Sequence, residues 1–127
     1  MGLWFAILLG GALGSAARHG VNVAASRWLE SSTPYATAVV NLIGSLIIGV
    51  LAGALAAQRL SMTTTMRAFV FVGLLGGFTT FSSFMLDTLT LSEAGSTTTM
   101  LGNLVGQVVV GFALVYAGYH IGLRAGA

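Results

Sequence analysis

The residues of this chain whose types and spacing could do chemistry centre on Gly76 to Phe84, which reads GGFTTFSSF. Paired glycines weaken a helix by roughly 1 kcal/mol each relative to alanine, and two adjacent threonines add β-branching and hydroxyls that compete for backbone hydrogen bonds. The stretch lies at the middle of a long apolar run: counted from Ala68 to Thr90, the midpoint is Thr79. A helix interrupted there, deep in hydrocarbon, is tolerated only where protein, water or an ion satisfies its freed carbonyls and amides, so a break at this place points to an ion or substrate site. Beyond the break Phe81 and Phe84 share one helical face, with Thr80, Ser83 and Asp87 on a neighbouring stripe. Two phenylalanines at this spacing ordinarily serve packing; these are singled out by their polar neighbours.

A second polar set lies in the preceding run. Asn41 stands in an otherwise apolar stretch, with Thr37 four residues before it and Ser45 four after, on one face with Gly44. An unpaired amide in hydrocarbon costs several kcal/mol, so Asn41 must face another helix or a wet cavity. It is either an interhelical clamp or an uncharged donor suited to an anion that must bind and leave. In the last run Asn103 and Gln107 form an i, i+4 pair followed by Gly111. Arg18, inside the first run, reads equally as a snorkelling anchor or as a vestibule charge that gathers anions. Tyr116, Tyr119, His120 and Arg124 cluster near the far end of the last run, where a histidine without an acid or cysteine beside it is an interfacial residue and not a metal ligand.

The elements that position these groups follow from composition. Of 127 residues 56% are hydrophobic and 6% charged, which excludes a soluble domain. A hydrocarbon core of ~30 Å needs about 20 residues of helix, and four such runs fit: Leu3 to Ala25, Tyr35 to Ala57, Ala68 to Leu91 and Met100 to Leu123. Together they make one four-helix membrane domain over 1–127. The first run is too long for a signal-peptide core, and no Lys or Arg precedes it, so it reads as a retained helix. The absence of cysteine rules out disulfides and thiolate metal sites. Five Arg against three acids are too few and too scattered for a nucleic-acid footprint.

Four helices are a thin wall for a polar path, so a chain this small is expected to work as an oligomer. Gly10 and Gly14, Gly49 and Gly53, Gly102 and Gly106, and Gly118 and Gly122 provide GxxxG spacings for tight helix packing within or between subunits. Arg18 and Arg27 on one side of the membrane face Arg59, Arg67 and Arg124 on the other, a near balance that leaves orientation unfixed and permits insertion both ways.

The residues GGALGSAAR in the first run, VVNLIGS around Asn41, and above all GLLGGFTTFSSF in the third closely resemble the Fluc family, also called CrcB, of small bacterial fluoride channels. The resemblance spans essentially the whole chain. It implies an all-α membrane protein with four transmembrane helices per subunit, the third broken at the midplane, and two subunits inserted antiparallel in the bacterial inner membrane. Such a dimer conducts fluoride passively through two pores and lowers its cytoplasmic concentration. It implies further that the carbonyls of Gly76 and Thr79 from both subunits hold a structural sodium ion at the dimer centre. The family's aromatic pair corresponds to Phe81 and Phe84 and its pore amide to Asn41, with Thr37, Thr80 and Ser83 as relays and Arg18 in the vestibule. A ring is negative on its face and positive at its edge, so edges turned to the path can line it without trapping the anion. Many members carry Ser or Tyr on the pore side of the fourth helix, where this chain has Asn103 and Gln107. Two other classes compete. A small drug/proton antiporter needs an acid buried in a helix, whereas Asp87 reads as interfacial; a non-transporting assembly subunit explains the glycines but not Asn41 or the break. No nucleophile, base and orienter set can be assembled for an enzyme.

Overall fold

The computed structural model of the protein describes residues 2–28 and 33–125. These residues form helices and no strands: α1 (Gly2–Trp28), α2 (Thr33–Ala56), α3 (64–78), α4 (Phe81–Glu93) and α5 (Thr97–Arg124). The third crossing is α3 followed by α4. It opens earlier than the apolar run, because the Thr63 hydroxyl accepts the Met66 N–H at 3.2 Å and caps the helix ahead of Ala68. Between Ala68 and Leu75 the winding is π-helical, a wider coil concentrated elsewhere at functional sites.

Two seams of glycine hold the helices together. A Cβ at Gly10 would fall on the Phe69 carbonyl and one at Gly14 on the Leu74 carbonyl, while one at Gly77 would meet the Gly11 carbonyl at 2.7 Å. The contacts advance in step along both chains, so α1 and α3 run parallel with their backbones nearly touching. On the other side Gly49 and Gly53 of α2 lie against the carbonyls of Val115 and Tyr119, and Gly118 and Gly122 of α5 against those of Leu46 and Val50, a second parallel pair. In lipid there is no hydrophobic drive between helices, so such close approach is what association rests on. Gly102 and Gly106 take no part within the chain; a Cβ at either would meet nothing within 4 Å.

The interior is correspondingly small. Ala6, Ala36, Val40, Ala68, Leu75 and Phe84 are buried, whereas Trp4, Leu8, Val109 and Phe112 point outward, as lipid-facing side chains do. Three helical runs, Pro34–Ala56, Thr64–Glu93 and Thr97–Arg124, are long and apolar enough to cross a membrane. Helix α1 has 27 residues and runs parallel to α3 from Gly10 to the level of the break.

The interruption lies within the Gly76 to Phe84 stretch, at its two threonines and not at the paired glycines. Gly76 and Gly77 are both helical; the chain turns extended at Thr79 (φ −84°, ψ 161°) and Thr80 (φ −154°, ψ 121°). Gly77 serves the approach to α1, and the break comes one turn later, where the threonines meet α2.

Candidate ion pathway

In an unbroken helix the Thr80 N–H would bond to the Gly76 carbonyl. Here it donates to Asn41 Oδ1 at 2.8 Å, and Asn41 Nδ2 returns a bond to the Thr80 carbonyl at 3.1 Å. One side chain from α2 thus satisfies both backbone groups of the residue at the break, and Asn41 is a clamp in fact. Its remaining N–H donates to Gln107 Oε1 at 2.9 Å. The Thr79 hydroxyl bonds back to the Leu75 carbonyl at 2.9 Å, and the Thr79 carbonyl accepts from Arg18 Nη1 at 3.2 Å. The Thr80 hydroxyl caps α4 by accepting the Ser83 N–H at 3.2 Å and donates to the Ser83 hydroxyl at 3.1 Å. The Thr79 carbonyl, both backbone groups of Thr80 and the Ser83 N–H therefore find partners in side chains, as burial in hydrocarbon demands.

From Gln107 the bonds continue towards the end of the bundle where α2 and α5 begin. Gln107 Nε2 donates to Asn103 Oδ1 at 2.8 Å, Asn103 Nδ2 to the Thr88 hydroxyl at 2.9 Å, and Thr88 to the Phe84 carbonyl at 2.8 Å. Asn41 and Gln107 stand 66 positions apart. Because α2 and α5 are parallel, the same offset sets Thr37, itself buried, at the level of Asn103. A cavity of about 340 Å³ opens at the break, lined by Asn41, Ser45, Gly76, Thr80, Phe81 and Phe84 among others.

The two phenylalanines meet edge to face, centroids 5.9 Å apart and planes at 69°, but they are not equivalent. Phe84 is 4% exposed and Phe81 72% exposed, so one belongs to the interior and the other to the surface of the chain. The edge of one ring is turned on the face of its neighbour, which leaves fewer edges for an ion than two independent rings would offer.

Arg18, read as a snorkelling anchor or a vestibule charge, bonds the Thr79 carbonyl and so stands level with the break. Asp87, read as interfacial, lies inside the helix packing. It is 6% exposed, and its Oδ2 has no hydrogen-bond partner among the described residues. Thr88 was not foreseen at all, although Phe84, Asp87 and Thr88 follow the i, i+3, i+4 spacing of a buried stripe. His120 packs between Tyr116 and Tyr119, with centroids 4.4 and 5.9 Å away, and no cluster of three or more His, Cys, Asp or Glu able to hold a metal occurs among the described residues.

A helical membrane protein, with a spanning helix opened in its middle and part of its freed backbone bonded by polar side chains beside a cavity, has the construction of an ion-conducting protein. Residues 5–119 match the family of CrcB-like proteins, described as camphor resistance (CrcB), and the chain belongs to that family. A protein of Paracoccus denitrificans named fluoride-specific ion channel FluC is 49% identical over 116 residues, covering 91% of this chain and 90% of its own. Proteins of the same name from Nitrobacter winogradskyi and Rhodospirillum centenum are each 42% identical, over 116 residues (91% of each chain) and 123 residues (97% of this chain, 94% of the other).

Proposed function

We propose that this protein is a fluoride channel of the bacterial inner membrane, and that its anion path runs past the break. The observation that carries the reading is Asn41, which holds both backbone groups of Thr80 and lines a cavity with Phe81 and Phe84. Fluoride is small and strongly hydrated, so a site must replace water with hydrogen-bond donors yet bind weakly enough to release. Uncharged donors do this. Asn41, Thr37, Thr80 and Ser83 supply them, the rings of Phe81 and Phe84 wall the path, and Asn103 and Gln107 extend it along α5. Flow is passive, so the channel discharges fluoride whenever the cytoplasm holds the higher concentration. Asp87 meets an antiporter's need for a buried acid, but it is absent from the cavity lining, and the relatives are named as channels.

The working unit in this reading is an antiparallel homodimer. Phe81, open to the outside of the chain beside the cavity, is the kind of surface a second copy would cover. The Gly76 carbonyl supports a cation at the centre, since the Thr80 N–H that would occupy it goes to Asn41; the Thr79 carbonyl has a second lone pair beside its bond to Arg18. Two carbonyls are too few for a hard cation such as sodium, and a second copy would double them. The ion would fix the two breaks against each other. With Arg18 drawn inside, the flanking arginines number one, Arg27, against Arg59, Arg67 and Arg124, so dual insertion needs direct measurement. C-terminal tags should be accessible from both faces of the membrane; access from one face only excludes the antiparallel arrangement.

The decisive test is efflux from liposomes holding the purified protein, read with a fluoride electrode. Fluoride should leave quickly and chloride should stay; equal passage of both would overturn the selectivity, and passage of neither the channel.

A further inference from the structure

The orientation of the amide ladder is fixed by a single group. The Thr80 backbone N–H can only donate, so the Asn41 atom 2.8 Å away is its oxygen. Asn41 then turns its NH2 towards α5, which makes the facing atom of Gln107 the acceptor Oε1 and leaves Nε2 for Asn103 Oδ1; Asn103 in turn donates to Thr88, whose proton goes to the Phe84 carbonyl. Both N–H bonds of Asn41 are thereby taken, one by the Thr80 carbonyl and one by Gln107. The donor on which the anion path depends is occupied by a side-chain oxygen of the protein itself.

The same bond is a wall. Asn41 lines the cavity of about 340 Å³ at the break and Gln107 does not. Gln107 lines a second cavity of about 370 Å³, with Pro34, Tyr35, Thr99, Gly102 and Asn103, and Asn41 does not. Pro34 and Thr99 lie in the first turns of α2 and α5, so the second cavity reaches the end of the bundle while the first lies at the break. Between them stands the Asn41–Gln107 hydrogen bond. On the outer side Gly102 and Gly106 present no side chain, and a Cβ at either would meet nothing within 4 Å, which leaves room for Gln107 to swing aside.

We propose that Gln107 is the gate of the anion path: its Oε1 stands in for the anion at Asn41, and fluoride entering from the outer cavity replaces it. Asn103 is a positioning residue that holds Gln107 closed through Nε2. The inference rests on the fluoride-channel reading and goes beyond it in assigning a competitor to the permeating ion. The exchange is of one acceptor for another on the same N–H, so no charge moves on the protein, and the only charge the open site carries is that of the fluoride itself.

The test is fluoride efflux from liposomes of the full chain, measured against fluoride concentration. Gln107→Met keeps length and bulk but carries no acceptor. The fluoride concentration giving half-maximal flux should fall roughly tenfold, the equilibrium weight of about one net hydrogen bond that no longer has to be displaced. Gln107→Glu sets a charged acceptor on the same donor and should cut flux by about a hundredfold. Asn103→Leu releases the hold on Gln107 without touching Asn41 and should lower half-saturation about two- to threefold. A helix clamp without a gating role would lose thermal stability in Gln107→Met while half-saturation stayed at the wild-type value, and that result overturns the gate. Should Gln107→Met fail to fold, Asn103→Leu decides the question, an unchanged half-saturation again overturning it. A wild-type protein that passes no fluoride would instead bring down the channel reading itself, which is a separate outcome from a working channel indifferent to Gln107.

Discussion

The two halves of the third crossing are unlike in every respect that matters to the site. From Ala68 to Phe78 there is no polar side chain, and this half packs on α1 through glycine. From Phe81 to Glu93 there are Ser82, Ser83, Asp87, Thr88, Thr90, Ser92 and Glu93, and this half packs on α2 and α5. The break is where the chain passes from one set of neighbours to the other. Its freed backbone is met by one side chain from each: Arg18 of α1 on the Thr79 carbonyl, and Asn41 of α2 on both groups of Thr80. A weak helix would fray; this one is interrupted because partners stand ready on both sides.

The largest effect is expected from removing the partner on the polar side. Asn41→Leu keeps the size and strips three hydrogen bonds, leaving the Thr80 N–H and carbonyl and Gln107 Oε1 unpaired. Each buried unsatisfied group costs about 1–3 kcal/mol, so a loss of several kcal/mol and a fall in fluoride flux beyond about a hundredfold should follow. Near wild-type flux in a folded Asn41→Leu protein would mean that the second half holds its place without α2.

The apolar half is probed by two adjacent glycines that look identical in the sequence. An added Cβ at Gly77 would meet the Gly11 carbonyl at 2.7 Å, backbone against backbone, while one at Gly76 would meet only the Phe71 carbonyl at 3.7 Å. Gly77→Ala should therefore destabilise by the 1–3 kcal/mol typical of overpacking, and Gly76→Ala should be neutral or stabilise by up to ~1 kcal/mol, compared by thermal unfolding in detergent. Equal effects at the two positions would show that the seam with α1 is looser than its geometry.

How far these halves could be read beforehand depended on the kind of signal. The apolar runs and the polar face of Asn41 are periodic, so the helices and the need for a partner at Asn41 were legible. That the chain breaks near Thr79 was legible from residue types. That the glycines stay helical was not, because Gly77 answers to Gly11, some 66 residues away, and close approach leaves no local pattern. The burial of Asp87 was missed for the same reason: an acid near the end of an apolar run is ordinarily at an interface, and only the packing of α4 on α2 and α5 takes it inside. The inward turn of Arg18 depends on a carbonyl that lacks its helical N–H partner only because of the break.

A smaller effect separates the two rings. If the proposed path is right, Phe84→Ile and Phe81→Ile each remove a positive edge from it and should lower fluoride flux by about tenfold, with Leu86→Ile, on the outer face of α4, as the control. Stability should tell them apart. Phe84 is buried, so its replacement should cost up to ~1.5 kcal/mol within one chain, whereas Phe81 is covered only if a second copy covers it. A Phe81→Ile protein that loses its dimer on gel filtration would place that ring at the interface; wild-type flux in both variants would return the pair to packing.

The smallest effect is expected at the far end of the ladder, and it tests whether the break is truly the distinguished point. Thr88→Val keeps the shape of the side chain and removes one hydroxyl, which accepts from Asn103 Nδ2 and donates to the Phe84 carbonyl. The Phe84 carbonyl keeps its place in the helix, so the one group left without its partner is the Asn103 amide, at roughly 1 kcal/mol. Gln107 remains bonded to both Asn103 and Asn41, and the Thr80 clamp is untouched. Thermal unfolding should therefore shift by the equivalent of about 1 kcal/mol, with flux changed less than about threefold. Hydrogen bonds in a chain polarise one another, and a strongly cooperative ladder would carry the loss at Thr88 through to Asn41. If Thr88→Val reduced flux as severely as Asn41→Leu, the two halves of the crossing would be joined by the ladder acting as one unit, and the contrast between a decisive break and a supporting flank would have to be given up.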